Sequence, residues 1–276
     1  MTSALPTDDT APEQLIEAWS EAADAFVALA HDLSDAEWSA ASILPAWSNG
    51  DIVAHVAHLD GLLLGEIQVD HAPNWDELQH AQTPFQKLTE YGVDVRRART
   101  RDDVLDELDR VTAARREHLK TADRSEVISF VGLELTFART LRRRTLDTWT
   151  HLLDIEYGTN RPLEPQDGLA PHVAAGMWEE GLPRVLGKAV GAPAGTVLRL
   201  NCTGPGVQFE RAIAVDTGGR GMFVSTSEPA VTTIDITWLD FWALVAGRMP
   251  RETLTVAITG DLDLGEAFLA NLGMTP

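Results

Sequence analysis

The stretch Arg143-Arg-Thr-Leu-Asp147-Thr-Trp149-Thr-His151-Leu-Leu-Asp154-Ile155 sets an acid, an imidazole and a second acid at i, i+4 and i+7. On a helix these share one face. About ninety residues earlier, Trp47-Ser-Asn-Gly-Asp51-Ile-Val-Ala-His55 reads as a helix start, with Ser48 and Asp51 in capping positions and His55 inside an apolar stripe. If both segments are helical and pack together, one His from the first meets an Asp/His pair from the second, which is how helix bundles build metal sites.

Working outward, apolar residues recur at helical spacing from Pro12 to Leu33, through Ile52, His55, Val56, Leu59 and Leu62, from Val104 to Leu119, and from about Arg139 to Tyr157. Four long helices with one long connection predict a helix bundle. Ser34-Asp-Ala-Glu37 is a capping-box pattern before a loop through Pro45, and the polar segment 72–90, with Pro73 and Pro84, reads as a connection or lid. After Pro171 a helical stretch gives way to alternating runs at 197–202, 209–215, 222–225, 231–236 and 254–258, with helices expected over 237–245 and from Leu262. The expected fold class is α+β, a four-helix bundle over 11–165 followed by a small α+β domain over 166–276.

Composition narrows the function. A formal charge of −20 over 276 residues excludes binding driven by a phosphate backbone, so neither nucleic acid nor an anionic membrane surface is an expected partner. No apolar run approaches the roughly 18 residues of a membrane span, and the opening residues lack the basic and apolar regions of a secretory signal. A cytoplasmic protein, monomeric or homodimeric, is expected. Lys87, Lys120 and Lys188 are the only lysines among 22 basic residues, a codon signature of a GC-rich genome. The lone Cys202 excludes an intrachain disulfide and lies in an alternating segment where a buried, inert thiol is expected. Thiol chemistry would therefore need a thiol from outside.

His55, Asp147 and His151 supply two imidazoles and a carboxylate, the borderline donor set of zinc and related divalent ions, with a position left for a further ligand. Asp154 can be a fourth ligand or the acceptor that fixes an imidazole tautomer, and His58, one turn beyond His55, competes for the first role. Spacing leaves a second reading open, in which both histidines are core residues hydrogen-bonded to nearby acids. Arg143 at i−4 and Arg144 at i−3 from Asp147 are candidates to hold a substrate carboxylate, whereas others of the cluster Arg139, Arg142, Arg143 and Arg144 neutralise neighbouring acids. Trp47 and Trp149 are aromatic candidates for the wall of a cofactor pocket, although tryptophans at helical spacing also build cores. There is no phosphate-binding loop, dinucleotide fingerprint or Gly-x-Ser-x-Gly elbow.

The Trp47, Asp51, His55 opening, the Arg143 to Ile155 pattern, and the stretch Trp238-Leu-Asp-Phe-Trp-Ala-Leu-Val-Ala-Gly-Arg248 followed by Val256-Ala-Ile-Thr-Gly-Asp261 resemble the mycothiol-dependent maleylpyruvate isomerase family. The resemblance implies a DinB-like metal-binding bundle, a divalent metal, typically zinc, on His55, Asp147 and His151, and mycothiol or a similar low-molecular-weight thiol as cofactor. It also implies that Arg248 matches a second-domain arginine that reaches the active site. The family usually has Glu where this chain has Asp147. The function implied is isomerisation or conjugation of a small, acidic electrophile. A non-catalytic ligand-binding protein and a metal-dependent hydrolase are the alternatives.

Overall fold

The computed structural model describes residues 4–66, 70–130 and 132–274. The chain divides into two compact units, one of Asp8–Glu164 and one of Pro165–Pro276 together with the residues before Asp8.

The first unit is built on four long helices: α1 (Pro12–Asp32), α3 (Asn49–Leu63), α5 (Arg101–Thr121) and α6 (Phe137–Gly158). A short α2 (Asp35–Ser39) follows α1, and α4 (Pro84–Asp94) precedes α5. Each start is chemically marked. Pro12 opens α1, and α2, α3, α4 and α5 carry reciprocal capping boxes from Ser34/Glu37, Ser48/Asp51, Thr83/Gln86 and Thr100/Asp103. Each box satisfies two backbone donors that a helix start leaves unpaired. α1 packs on α6 and α5, and α3 packs on α5 and α6, so the four long helices close a ring. The α1 face Leu15, Ala18, Trp19, Ala22 and Phe26 is buried in it.

Strands β1 (Val127–Phe130) and β2 (Leu133–Thr136) form an antiparallel hairpin with Gly132 at φ 78°. That left-handed conformation is cheap for glycine and costly for other residues. Phe130 and Leu135 press on Leu59, and Thr136 caps α6 directly. The segment 72–90 is therefore more ordered than a connection, since its last third begins α4. Thr83 with Gln86, and Pro84 in the first turn, are the start signals that its polar composition obscured.

The second unit carries α7 (Leu169–Glu179) and α8 (Leu182–Arg184), the latter running into a π-helical turn, Val185–Ala189. Its sheet consists of β3 (Val197–Thr203), β4 (Phe209–Val215), β5 (Gly221–Val224), β6 (Thr232–Thr237) and β7 (Val256–Gly260), ordered β5-β4-β3-β6-β7. Only β3 and β6 pair in parallel, with Leu200 opposite Ile234 and Cys202 opposite Ile236. Alternation sends Leu198, Leu200 and Cys202 to the buried face. α9 (Trp238–Val245) and α10 (Leu262–Ala270) cover the sheet with Trp238, Phe241 and Phe268, all fully buried. The molecule has the expected α+β class. Among the described residues, no helix is long and apolar enough to cross a membrane.

Candidate metal centre

α3 and α6 bring His55, Asp147 and His151 together, with one ligand atom from each lying within 4.8 Å of the others. Asp147 Oδ1 is 3.5 Å from His55 Nε2 and 3.7 Å from His151 Nε2. Those separations are too long for good hydrogen bonds. They match the edge of a tetrahedron, because N and O ligands held about 2.1 Å from one ion stand about 3.4 Å apart. The imidazoles meet edge to face, with ring centroids 4.9 Å apart at 80°. Among the described residues this is the one cluster of His, Cys, Asp or Glu that could hold a metal.

The remaining atoms of two ligands are held by neighbours. Asp147 Oδ2 accepts a 2.7 Å bond from Arg144 Nη1, while Arg144 Nε donates to Asp60 Oδ1 at 3.0 Å. Arg144 and Asp60 are both buried, so one guanidinium ties α6 to α3 and leaves Oδ1 as the available carboxylate atom. His151 Nδ1 lies 2.9 Å from the buried Asp154 Oδ2. A proton on Nδ1 donated to that acid leaves the Nε2 lone pair for an ion, the usual second contact of a metal-binding histidine. His55 Nδ1 is buried and has no hydrogen-bond partner among the described residues.

The electrostatics give the donor set its charge state. Burial would raise the Asp147 carboxyl, but Arg144, then His55 and His151, outweigh it and hold the group well below the ordinary carboxylate range. Burial lowers His55 below its ordinary value more strongly than Asp147 raises it. Near neutral pH the pair is a carboxylate and a neutral imidazole, as divalent-metal ligation requires. The residues fit a zinc-like ion. Asp147 reaches into the space despite being a methylene shorter than Glu, with Arg144 behind it.

The other sequence candidates separate clearly. His58 points elsewhere, with Nδ1 3.4 Å from Arg96 Nη1 and its pKa pushed down to about 3 by burial and then by Arg96. Of the four arginines, Arg139 and Arg142 bind Asp8, Arg144 serves Asp147, and Arg143 is exposed. Arg144, at i−3, therefore contacts the trio's acid. Trp47 stands beside the trio, its ring centroid 5.1 Å from that of His55 and 6.4 Å from that of His151. Trp149 is fully enclosed in the bundle core, its Nε1 without a hydrogen-bond partner among the described residues, so its ring reaches no open space in this structure. Arg248 belongs to the second unit, partly buried, where Nη1 donates to Ala246 O. Asp60 and Glu90 are functional-site neighbours that the sequence reading missed. Asp60 left a signal, an acid inside the apolar run of α3, whereas Glu90 left none.

The family model for the mycothiol maleylpyruvate isomerase N-terminal domain matches residues 19–156. The chain belongs to that family. The matched segment contains the trio and also Trp47, Asp60, Glu90, Arg144 and Asp154. Of solved structures, the crystal structure of the mycothiol-dependent maleylpyruvate isomerase matches with a TM-score of 0.53 at 15% identity, covering 92% of this chain and 96% of that one. A histidine-to-alanine mutant of the mycothiol-dependent maleylpyruvate isomerase matches with the same TM-score and coverage at 14% identity. At such identity the likeness to these structures is one of fold. No curated protein sequence matches the chain significantly.

Proposed function

We propose that this mycothiol maleylpyruvate isomerase family member is a divalent-metal enzyme that uses a low-molecular-weight thiol of the mycothiol type. Its reaction would isomerise or conjugate a small, acidic electrophile in the cytoplasm. The observation that carries this reading is the convergence of His55 Nε2, Asp147 Oδ1 and His151 Nε2, with Arg144 and Asp154 occupying the atoms that face away. A zinc-like ion held there would stabilise the thiolate form of an added thiol near neutral pH.

The chain's own residues supply the rest. Asp154 keeps the His151 tautomer, and Arg144 orients Asp147 while lowering its proton affinity. Trp47 offers an apolar wall beside both imidazoles. Arg144 has its donors committed to Asp60 and Asp147, so of the two arginines spaced toward Asp147 the exposed Arg143 is the one left to hold a substrate carboxylate. Cys202 is buried and its thiol is pushed up by that burial, which makes it unsuitable as the thiolate.

The test is metal content by elemental mass spectrometry for the purified protein and its His151→Ala variant, followed by turnover with and without added mycothiol. The expected result is near-stoichiometric metal in the wild type, an affinity lowered at least about 100-fold in the variant, and turnover only with thiol. Metal-dependent turnover without thiol would replace this reading with a hydrolase. A wild type that neither carries metal nor takes up zinc would replace it with a non-catalytic binding protein.

A further inference from the structure

Glu90 on α4 is 1% exposed, and three donors converge on its carboxylate. Oε2 accepts from Trp47 Nε1 and from His80 Nε2, each at 2.7 Å, while Oε1 accepts from Arg97 Nη1 at 2.6 Å. A carboxylate taken so far out of water persists only when paired and hydrogen-bonded. Arg97 supplies the charge, and Arg97 in turn reaches Asp51, the capping acid of α3. His80 and Arg97 come from the same chain segment as Glu90. Trp47 does not, because it belongs to the loop before α3.

That loop fixes the backbone of Trp47 independently. Trp47 O accepts from Ser42 N and Ser42 Oγ, each at 2.9 Å, and Ala41 bridges to Ser48. The freedom left to Trp47 is the rotation of its side chain, and the Nε1 bond to Glu90 removes it. The indole so fixed is the ring that stands against both imidazoles of the trio. Among the described residues Glu90 makes no hydrogen bond or ion pair with the three candidate ligands, and it is linked to them through that ring.

We propose that Glu90 is a positioning residue that, through Trp47, orients the wall of the thiol-binding site and so sets its affinity for the thiol without altering metal affinity. The proposal rests on the thiol-using reading above. Three variants test it: Glu90→Leu, Glu90→Gln and Trp47→Phe, each as the zinc-loaded full chain. Mycothiol affinity is read by calorimetry and zinc affinity by chelator competition. The indole N–H resonance of Trp47 in the metal-free protein, assigned by its absence in Trp47→Phe, reports the bond directly.

Glu90→Leu is expected to move that resonance and to weaken mycothiol binding about tenfold, the scale of one lost charge-assisted hydrogen bond, with zinc affinity held. Glu90→Gln keeps an amide oxygen for Nε1 but turns its NH2 toward Arg97, so it should lose thermal stability while retaining most of the thiol affinity. The double variant Trp47→Phe/Glu90→Leu should bind mycothiol no more weakly than Trp47→Phe alone. Equal thiol affinity in wild type and Glu90→Leu, or additive losses in the double variant, would overturn the proposal and leave Glu90 a stabilising ion-pair partner. If Glu90→Leu does not fold, Glu90→Gln and Trp47→Phe decide. Thiol affinity lost in Glu90→Gln with the indole resonance unmoved, or unchanged in Trp47→Phe, overturns it. A zinc-loaded wild type that takes up no mycothiol overturns the thiol reading itself, and this proposal with it.

Discussion

The two units bury different kinds of side chain. Among the described residues, every buried histidine, aspartate, glutamate and arginine lies in the unit Asp8–Glu164, whereas the second unit buries no polar side chain beyond Gln166 and Thr232. The C-terminal core of Leu200, Ile234, Trp238, Phe241 and Phe268 is the solution that the hydrophobic effect favours by itself. The bundle departs from it at a cost in desolvation that packing alone does not require. Part of the buried charge of the first unit, Asp60, Arg144 and Asp154, is arranged around the trio, which is a mark of chemistry, and among the described residues the second unit buries none.

The contrast breaks most sharply at Asp60. Removing it leaves Arg144 as a buried, half-paired charge, so Asp60→Ala should cost about 3–5 kcal/mol in urea unfolding and, by freeing Arg144, lower metal affinity about 10- to 100-fold. Phe241→Ala in the second unit should cost a similar amount, about 3–5 kcal/mol, with the metal affinity of the folded protein unchanged. Equal metal affinity in the two variants would remove the distinction between the units.

A smaller effect comes from His58. Its folded pKa, about 3, lies below the ordinary 6.5, so the unfolded chain takes up the proton first. Its share of stability is therefore fully present above 6.5 and drains away as pH falls toward 3, on the order of 2 kcal/mol between about pH 7 and about pH 5. His58→Gln should flatten the stability–pH curve by about that amount, measured by denaturant titration at both pH values. The smallest effect is expected at Gly92, where an added Cβ would sit 2.0 Å from the His58 ring. An alanine inside a helix normally gains up to about 1 kcal/mol over glycine. Gly92→Ala should instead lose about 1 kcal/mol, because overpacking outweighs propensity. A higher melting temperature for that variant would show that the His58 ring has room to yield.

Much of this was legible in the sequence because periodicity reports local geometry. The i, i+4 spacing of Asp147 and His151, and the place of His55 in an apolar stripe, anticipated that the three would meet. Alternation located the strands of the second sheet. The features that escaped depend on contacts between elements far apart in the chain. Arg143 and Arg144 have equally good spacing toward Asp147, and only the inward direction of Arg144 toward Asp60 separates them. Glu90 lies 43 residues from the tryptophan it holds, with no pattern linking them. The start of α4 was written in Thr83, Pro84 and Gln86, but polar surroundings hid it.

Ala46, immediately before Trp47, adopts φ 70°, a left-handed conformation that costs a non-glycine residue about 1–2 kcal/mol. Glycine would relieve that strain and give back about 0.4–1 kcal/mol through the greater freedom of the unfolded chain. A directed-evolution campaign scored on melting temperature alone would therefore be drawn to Ala46→Gly. The variant it selected would carry a looser hinge under the indole that stands against both imidazoles.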